Sequence, residues 1–553
     1  MRISREQNIK IQERTFLVLG LVIALLFGTF VRFVHVLTIE YPLNDGGFFL
    51  ALIQDLRKSD TILPAFTSYN LNDIPFAYPP LAIFITDFIS RLFGVSVLDL
   101  IRLFPPFISC LTIPAFYALA RRLLPSPIQG ISATIAFALL PTAFDWLIVG
   151  AGLTRSLGYL FAILTLIQLH SLYTTDRKRH IFWAILFSSL TILSHPGTAW
   201  FAFYSGGVLF VYFITKNEQV KTKMTPPQPP DAGGSNQMPP QVGGLGGQRR
   251  INFIRSILVA LGTALLTSPW WRTLIQRHGV RVFLYPYQTE SFSISALVTP
   301  LSLLFTNEPL VDILAVIGFL GFLNCLRERK FLLPIWLAAV FIFDPRLSAV
   351  YATIPMALLV GIGLEKAILP LVNPRGSTNG FGGKLSKATV GFLLLYALIS
   401  AYLAPQYNSL SKAQVDSLEW ISNHTPENST FLILTGNEGY GDDYTSEWFP
   451  AFSQRRSLTT PQGHEWLPDK EFSRRVSLHA ELQKYISTDA TNLESWAQDN
   501  HLTFSHILIA KKALRENGIP ISLIQETLNH LDTYEIIFEN DDSLVIEHKV
   551  ARK

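Results

Sequence analysis

The chain has 553 residues, of which 49% are hydrophobic and only 16% charged. Soluble proteins carry about 25% charged residues, so this balance, with 40 Phe and 10 Trp, excludes an ordinary soluble enzyme and points to a polytopic membrane protein. The net charge of +4 is small and its basic residues are scattered, which argues against nucleic acid as a partner; Cys110 and Cys325 are too few for a disulfide framework or a thiolate metal site.

A basic start (Arg2, Arg5, Lys10, Arg14) leads into a long apolar run with no small-residue cleavage site after it. Residues 16–38 therefore read as an uncleaved first span. Further spans are expected at 100–123, 128–146, 153–174, 180–194, 197–214, 252–271, 309–326, 331–343, 348–366 and 388–404. Each is long enough, or nearly so, for a hydrocarbon core of about 30 Å. The fold class is mostly α: a polytopic membrane helical bundle of eleven spans.

The apolar stretch 78–94 is left out of that count. With a cytoplasmic N-terminus and 78–94 on the surface, Arg121, Arg122, the 177–179 triplet, the 215–255 loop, Arg327, Arg329, Lys330 and the 366–387 loop all fall inside. That is the distribution the positive-inside rule requires; a spanning 78–94 would put them all outside. The stretch also holds Asp87 and Arg91, so it is expected to lie along the outer surface as a juxtamembrane helix.

Four regions follow. Residues 1–215 form a first membrane half with an outer loop at 39–99. Residues 216–251, rich in Pro and Gly, read as a disordered cytoplasmic linker. Residues 252–404 form a second membrane half. Residues 405–553 read as a small extracytoplasmic α/β domain, with strand-like runs at 430–436, 505–510, 534–540 and 543–549 and helix-like stretches at 469–487 and 520–531. No internal repeat is visible. The protein is expected in the plasma membrane as a multi-pass protein.

The loop after the first span reads EYPLNDGGFFLALIQDLRKSD. Asp45 stands just beyond the span. Asn44 precedes it, and Gly46 and Gly47 allow a sharp turn or a close backbone approach. An amphipathic helix at about 48–58 follows, so capping is the ordinary alternative role for Asp45. Further on, Pro64 marks an extended segment, and Tyr78-Pro79-Pro80-Leu81 opens a second surface helix that ends at Phe93-Gly94.

This order of acid, surface helix, extended segment and second surface helix resembles the GT-C superfamily, membrane glycosyltransferases that use polyprenyl-phosphate sugars. Protein O-mannosyltransferases and the lipid A aminoarabinose transferase type are the members it most resembles. The likeness in architecture covers about residues 10–404, and Asn44–Phe49 and Tyr78–Gly94 carry it as motif. It implies that Asp45 is the catalytic base, taking a proton from an acceptor as the acceptor attacks the anomeric carbon with inversion. Many members have a second acid where this chain has Asn44. A divalent cation, Mg2+ or Mn2+, is therefore left open as a cofactor.

A lipid phosphate as leaving group calls for cations at the outer surface. Arg346, Arg155 and Arg272 lie at expected outer helix ends, with interfacial snorkelling as their alternative role. The resemblance places such an arginine at the position of Arg346. His195, in SHPGTAW, can assist acid–base work or simply close a turn. Asn44 and Tyr78 complete the candidate substrate-binding set. Asp145 at a span end is explained equally by solvation at the interface, and Asp344 by pairing with Arg346. Tyr285 and Tyr287 suit an interfacial belt.

In the C-terminal region, 436–466 is Gly-rich, acidic and aromatic. Trp448, Trp466, Tyr440 and Tyr444 suit stacking on sugars, and Asp442, Asp443 and Glu447 suit hydroxyls or a cation. An ordinary packed loop is the alternative. Asn423 and Asn428 fit the glycosylation sequon. The expected function is transfer of a sugar from a polyprenyl-phosphate donor to a glycan, lipid or protein acceptor, among membrane lipids. The alternative is a transporter or flippase of lipid-linked sugars, but the notable polar residues lie at the surface rather than at the midplane.

Overall fold

The computed structural model describes residues 2–60, 62–175, 177–222, 245–289, 304–377, 380–405, 407, 409–488, 493–521 and 533–549. Seven helices are long and apolar enough to cross a membrane, at Arg14–Thr38, Val97–Leu123, Gly152–Thr174, Pro196–Thr215, Arg249–His278, Ser348–Val372 and Gly380–Leu403. Three shorter apolar helices, Arg179–Ser194, Ile313–Arg327 and Leu332–Phe343, stand beside them. The chain is a multi-pass membrane protein.

In chain order the first nine helices are α1 (Arg2–Phe33), α2 (Gly46–Lys58), α3 (Leu81–Phe93), α4 (Val97–Leu123), α5 (Pro127–Leu139), α6 (Gly152–Thr174), α7 (Arg179–Ser194), α8 (Pro196–Thr222) and α9 (Leu245–His278). One expected span is corrected. The stretch 128–146 is not a single helix but α5 followed by a short second piece, bent by 84°. The cause is Pro141, which has no N–H to continue the ladder and pushes Leu140 into the extended region, at ψ 125°. The disordered linker expected at 216–251 is corrected at its ends, where 216–222 continue α8 and 245–251 open α9; residues 223–244 lie outside the described residues.

Helix α3 has 13 residues. At 1.5 Å per residue that is about 20 Å, short of a bilayer core. One face is buried, and on it Asp87 receives both Arg57 at 2.9 Å and Arg91 at 2.8 Å. Gly94, left-handed at φ 67°, ends the helix, and Ser96 caps α4 by accepting the Asp99 N–H.

The bundle core is helix on helix. Gly321 lies against the Leu359 carbonyl and Gly363 against the Ile317 carbonyl, with no room for a Cβ at either. Ile313–Arg327 and Ser348–Gly363 meet through these small residues, as membrane helices do where backbones approach closely.

After α1 the first loop carries a two-stranded ribbon, β1 (Phe66–Thr67) with β2 (Ile74–Pro75). The C-terminal domain holds a five-stranded sheet of β3 (Thr430–Leu434), β4 (Arg456–Ser457), β5 (His506–Ala510), β6 (Tyr534–Glu539) and β7 (Ser543–His548). Its order is β4-β3-β5-β7-β6, parallel from β4 to β5 and antiparallel beyond. Side chains alternate across a strand. Leu432 and Leu434 therefore face Leu478, Leu482 and Ile486, while Phe431 and Ile433 belong to a second core. That core also contains Phe48, Phe49, Tyr69, Trp448 and Trp466, so the first loop and the C-terminal domain share one interior. The helix expected at 520–531 lies mostly outside the described residues.

Candidate active site

The first loop turns at Asn44 and Asp45, both left-handed, at φ 66° and 68°. Two such non-glycine residues in a row persist only where the surroundings over-determine them. Here two sides hold the turn. Glu447, on the helix Tyr444–Ser453, is fully buried and accepts the Asn44 N–H at 2.9 Å and the Gly46 N–H at 2.8 Å. The Asp45 N–H bonds to it as well. From the bundle, the Gly150 N–H donates to the Leu43 carbonyl at 2.7 Å and the Ala151 N–H to the Asn44 carbonyl at 2.5 Å. A Cβ on Gly46 would lie 2.6 Å from the Trp448 ring, and one on Gly47 2.8 Å from the Glu447 carbonyl. The glycines thus serve close approach.

Asp45 stands before α2 but its side chain makes no capping bond. Its carboxylate lies 3.5 Å from Arg155 Nη2, and a third of the side chain remains open. Burial raises its pKa above the usual carboxylate value, against the charges of Arg155 and Arg346. Arg155 sits over the Trp146 ring at 4.2 Å, and its Nη1 is buried with no hydrogen-bond partner. The Tyr78 hydroxyl lies 3.2 Å from Thr154 Oγ1, and its ring meets Phe49 and Trp466 edge-on. His195 lies 6.3 Å from the Tyr78 ring, and its Nδ1 accepts the Thr198 N–H.

The structure therefore brings Asn44, Asp45, Tyr78, Arg155, His195 and Arg346 together. Arg272 is apart from them: it is exposed on α9, and no described contact joins it to Asp45. Asp145 faces elsewhere, accepting the Tyr407 hydroxyl at 2.6 Å, and Asp344 accepts the Leu347 N–H. In 436–466, Asp443 caps the helix that carries Glu447, the Tyr444 hydroxyl donates to Glu516, and Trp448 is fully buried. Asp442 and Asn423 are exposed.

One residue of the site has no local mark in the sequence. Glu465, in the turn His464–Trp466, faces Asp45 and Arg346. Burial and then the Asp45 charge raise its pKa to about 7, with Arg346 opposing. Burial and the same charge raise Glu447 to about 8. The Asp45 charge thus makes both Glu447 and Glu465 harder to ionise.

This donor set does not fit a resident divalent cation. Among the described residues no three His, Cys, Asp or Glu side chains converge to hold a metal. Glu447 is engaged by backbone N–H groups, an amide (Asn44) rather than a second acid precedes Asp45, and Arg155 pairs with Asp45.

A cavity of about 2140 Å³ runs between α7, α8, α9 and Leu332–Phe343. Trp200, Trp271 and Phe343 line it near the start of α8. Arg122, Arg329, Lys330 and Lys366 line it where α4 and the later spans end.

No family model and no curated protein sequence matches the chain. Solved structures do. An archaeal oligosaccharyltransferase, AglB from Archaeoglobus fulgidus, in complex with an inhibitory peptide and a dolichol-phosphate, is 15% identical with a TM-score of 0.55, covering 90% of this chain and 70% of its own. ArnT from Cupriavidus metallidurans, bound to undecaprenyl phosphate, is 13% identical with a TM-score of 0.53, covering 96% and 98%. The arabinofuranosyltransferase AftD from Mycobacteria is 15% identical with a TM-score of 0.55, covering 97% of this chain, which spans 40% of the length of AftD. A further structure of the Archaeoglobus enzyme, 14% identical with a TM-score of 0.52, holds Zn and sulfate. These likenesses show the fold alone: the chain shares the membrane architecture of these structures.

Proposed function

We propose that the protein is an inverting membrane glycosyltransferase that takes a sugar from a polyprenyl-phosphate donor at the outer membrane face. It passes that sugar to a glycan, lipid or protein acceptor. Its N-terminus is cytoplasmic and its C-terminal domain extracytoplasmic. The observation that carries this reading is Asp45: an uncapped carboxylate on a strained turn, beside Arg155 and within the field of Arg346.

Each residue has a task in that reaction. Arg155, with its unpartnered Nη1, and Arg346 receive the donor phosphate, since guanidinium–phosphate bonds are among the stronger charge-assisted ones. Asp45 takes the proton of the acceptor as its oxygen or nitrogen attacks the anomeric carbon. The bond from that carbon to the phosphate oxygen breaks, and the electron pair leaves with the lipid phosphate. The two guanidiniums stabilise the charge that grows there. Single displacement inverts the carbon. The long cavity suits the isoprenoid chain of the donor. The lipid phosphates bound by AglB and ArnT, proteins of the same architecture, support this choice of donor.

The test is turnover of a panel of short-chain polyprenyl-phosphate sugars by the purified protein beside Asp45→Asn. We expect transfer and donor hydrolysis to fall by about 10²- to 10⁴-fold with the melting temperature kept. Unchanged turnover in the variant overturns the role of Asp45. Passage of intact donor across vesicles without cleavage overturns the enzyme reading in favour of a flippase.

A further inference from the structure

The glycosyl-transfer reading leaves the acceptor open, and the C-terminal turn bears on it. We propose that the turn carrying Glu465 is the acceptor subsite and that the acceptor is a saccharide. Glu465 holds a hydroxyl next to the one that reacts at Asp45, and the rings of Tyr78 and Trp466 wall the sugar. The proposal rests on the glycosyl-transfer reading and narrows it.

The turn is rigidly built. Gly463 is left-handed at φ 82°, and a Cβ there would press on Phe48 at 3.0 Å and Ile74 at 3.2 Å, so the turn sits directly on the first loop. His464 is fully buried. Its Nδ1 lies 3.1 Å from the carbonyls of Pro461 and Gln462, which fixes the proton on Nδ1 and leaves Nε2 to accept from Asn72 Nδ2 at 2.8 Å. Burial, helped by Arg475 and Arg456, lowers its pKa to about 3, so the ring stays neutral. Glu465 is therefore held in place by its neighbours. It faces Asp45 and Arg346 from the membrane part, with Tyr69, Tyr78 and Tyr440 around them.

Within the same turn, two buried polar atoms lack partners. Trp466 Nε1 and Gln462 Oε1 are buried with no partner, in side chains that are each 4% exposed. Such atoms are costly to leave unmade. A donor, an acceptor and a carboxylate next to aromatic rings match a sugar, which offers hydroxyls at its rim and C–H groups on its face.

The same geometry disfavours a peptide read by strand addition. β4 is the sheet edge nearest the site. Asn70 of the first loop closes it, donating from Nδ2 to the Ser457 carbonyl at 3.0 Å and accepting the Ser457 N–H at 2.6 Å. No free backbone pair is left at Ser457 for an extended chain.

The experiment runs transfer and donor hydrolysis in parallel on the full-length protein, with the donor that turns over best. The probes are methyl glycosides of pentoses and hexoses and an Asn-X-Thr peptide. We expect glycosides to be accepted and the peptide not. Glu465→Gln should raise the glycoside KM about ten-fold or more, and lower transfer about ten-fold further than hydrolysis, as loss of a charged hydrogen bond predicts. Trp466→Phe, which removes the Nε1 donor together with part of the ring that walls the sugar, should raise KM about three-fold or more, at least the size of one neutral hydrogen bond. Transfer to the peptide alone, or to none of the glycosides, overturns the proposal. So does a Glu465→Gln variant with an unchanged glycoside KM, or one whose transfer and hydrolysis fall equally. A wild-type protein that hydrolyses no donor defeats the underlying reading, and the proposal with it; the two failures are thus told apart by hydrolysis.

Discussion

Glycines allow close approach both in the bundle and at the first loop, and the two contacts differ in kind. In the bundle, Gly321 and Gly363 let Ile313–Arg327 and Ser348–Gly363 touch, each against a carbonyl of the other helix. At the first loop, Gly46 and Gly47 let the turn meet Trp448 and Glu447. The bundle contact is a matter of shape alone. The loop contact adds a buried carboxylate that accepts backbone N–H groups, and two left-handed residues that it holds in place. Shape fixes a distance between helices. Directed hydrogen bonds fix the position of one side chain, that of Asp45. Substitution should therefore lower stability in the first place and turnover in the second.

The sharpest way to break that contrast is Gly46→Ala. Its Cβ would meet the Trp448 ring and move the turn, and a displacement of about 1 Å at a reacting group costs on the order of 10²-fold. We expect turnover to fall by about that factor per folded molecule, beyond any drop in melting temperature from the same overpacking. Gly321→Ala should do the reverse. Overpacking against the Leu359 carbonyl should cost about 1–3 kcal/mol of stability, read as a lower melting temperature, with kcat per folded molecule kept. Equal losses of turnover in the two variants would erase the contrast.

Glu447 sharpens it through pH. Its folded pKa of about 8 lies above its ordinary 4.5, because burial disfavours the ionised form. Its stabilising contribution is therefore complete below about pH 4.5 and is lost as pH rises through 8. Wild type should melt at progressively lower temperature between pH 5 and 8, and Glu447→Gln should flatten that slope. The smallest effect is expected at Arg272: exposed and apart from Asp45, Arg272→Ala should leave turnover within about two-fold. A larger loss would bring α9 into the site.

Much of this was legible in the sequence where the signal is local. Apolar length marked the spans, and two glycines beside an acid marked the turn at Asp45. The break at Leu140–Pro141 was also written locally, but the apolar run masked it. Arg155 and Arg346 were readable as helix-end cations, although snorkelling predicts the same residues. Glu447 and Glu465 were not readable as parts of one site. Each lies in an acidic, aromatic stretch, and only the shared interior of the first loop and C-terminal domain turns them toward Asp45. The stretch around Glu447 suits hydroxyl or cation binding by composition; in the structure Glu447 holds backbone instead.

The bond from Asn44 to Glu447 joins residues 403 positions apart. At about 5–20 residues per second, the ribosome delivers the second partner roughly 20–80 s after the first. Throughout that interval the nascent chain has its membrane helices but no Glu447 clamp on the turn. A chain interrupted before residue 447 would carry Asp45 on a turn held from the bundle side only, by Gly150 and Ala151. On the proposed glycosyl-transfer reading, truncated products in the membrane would therefore leave donor sugars untouched.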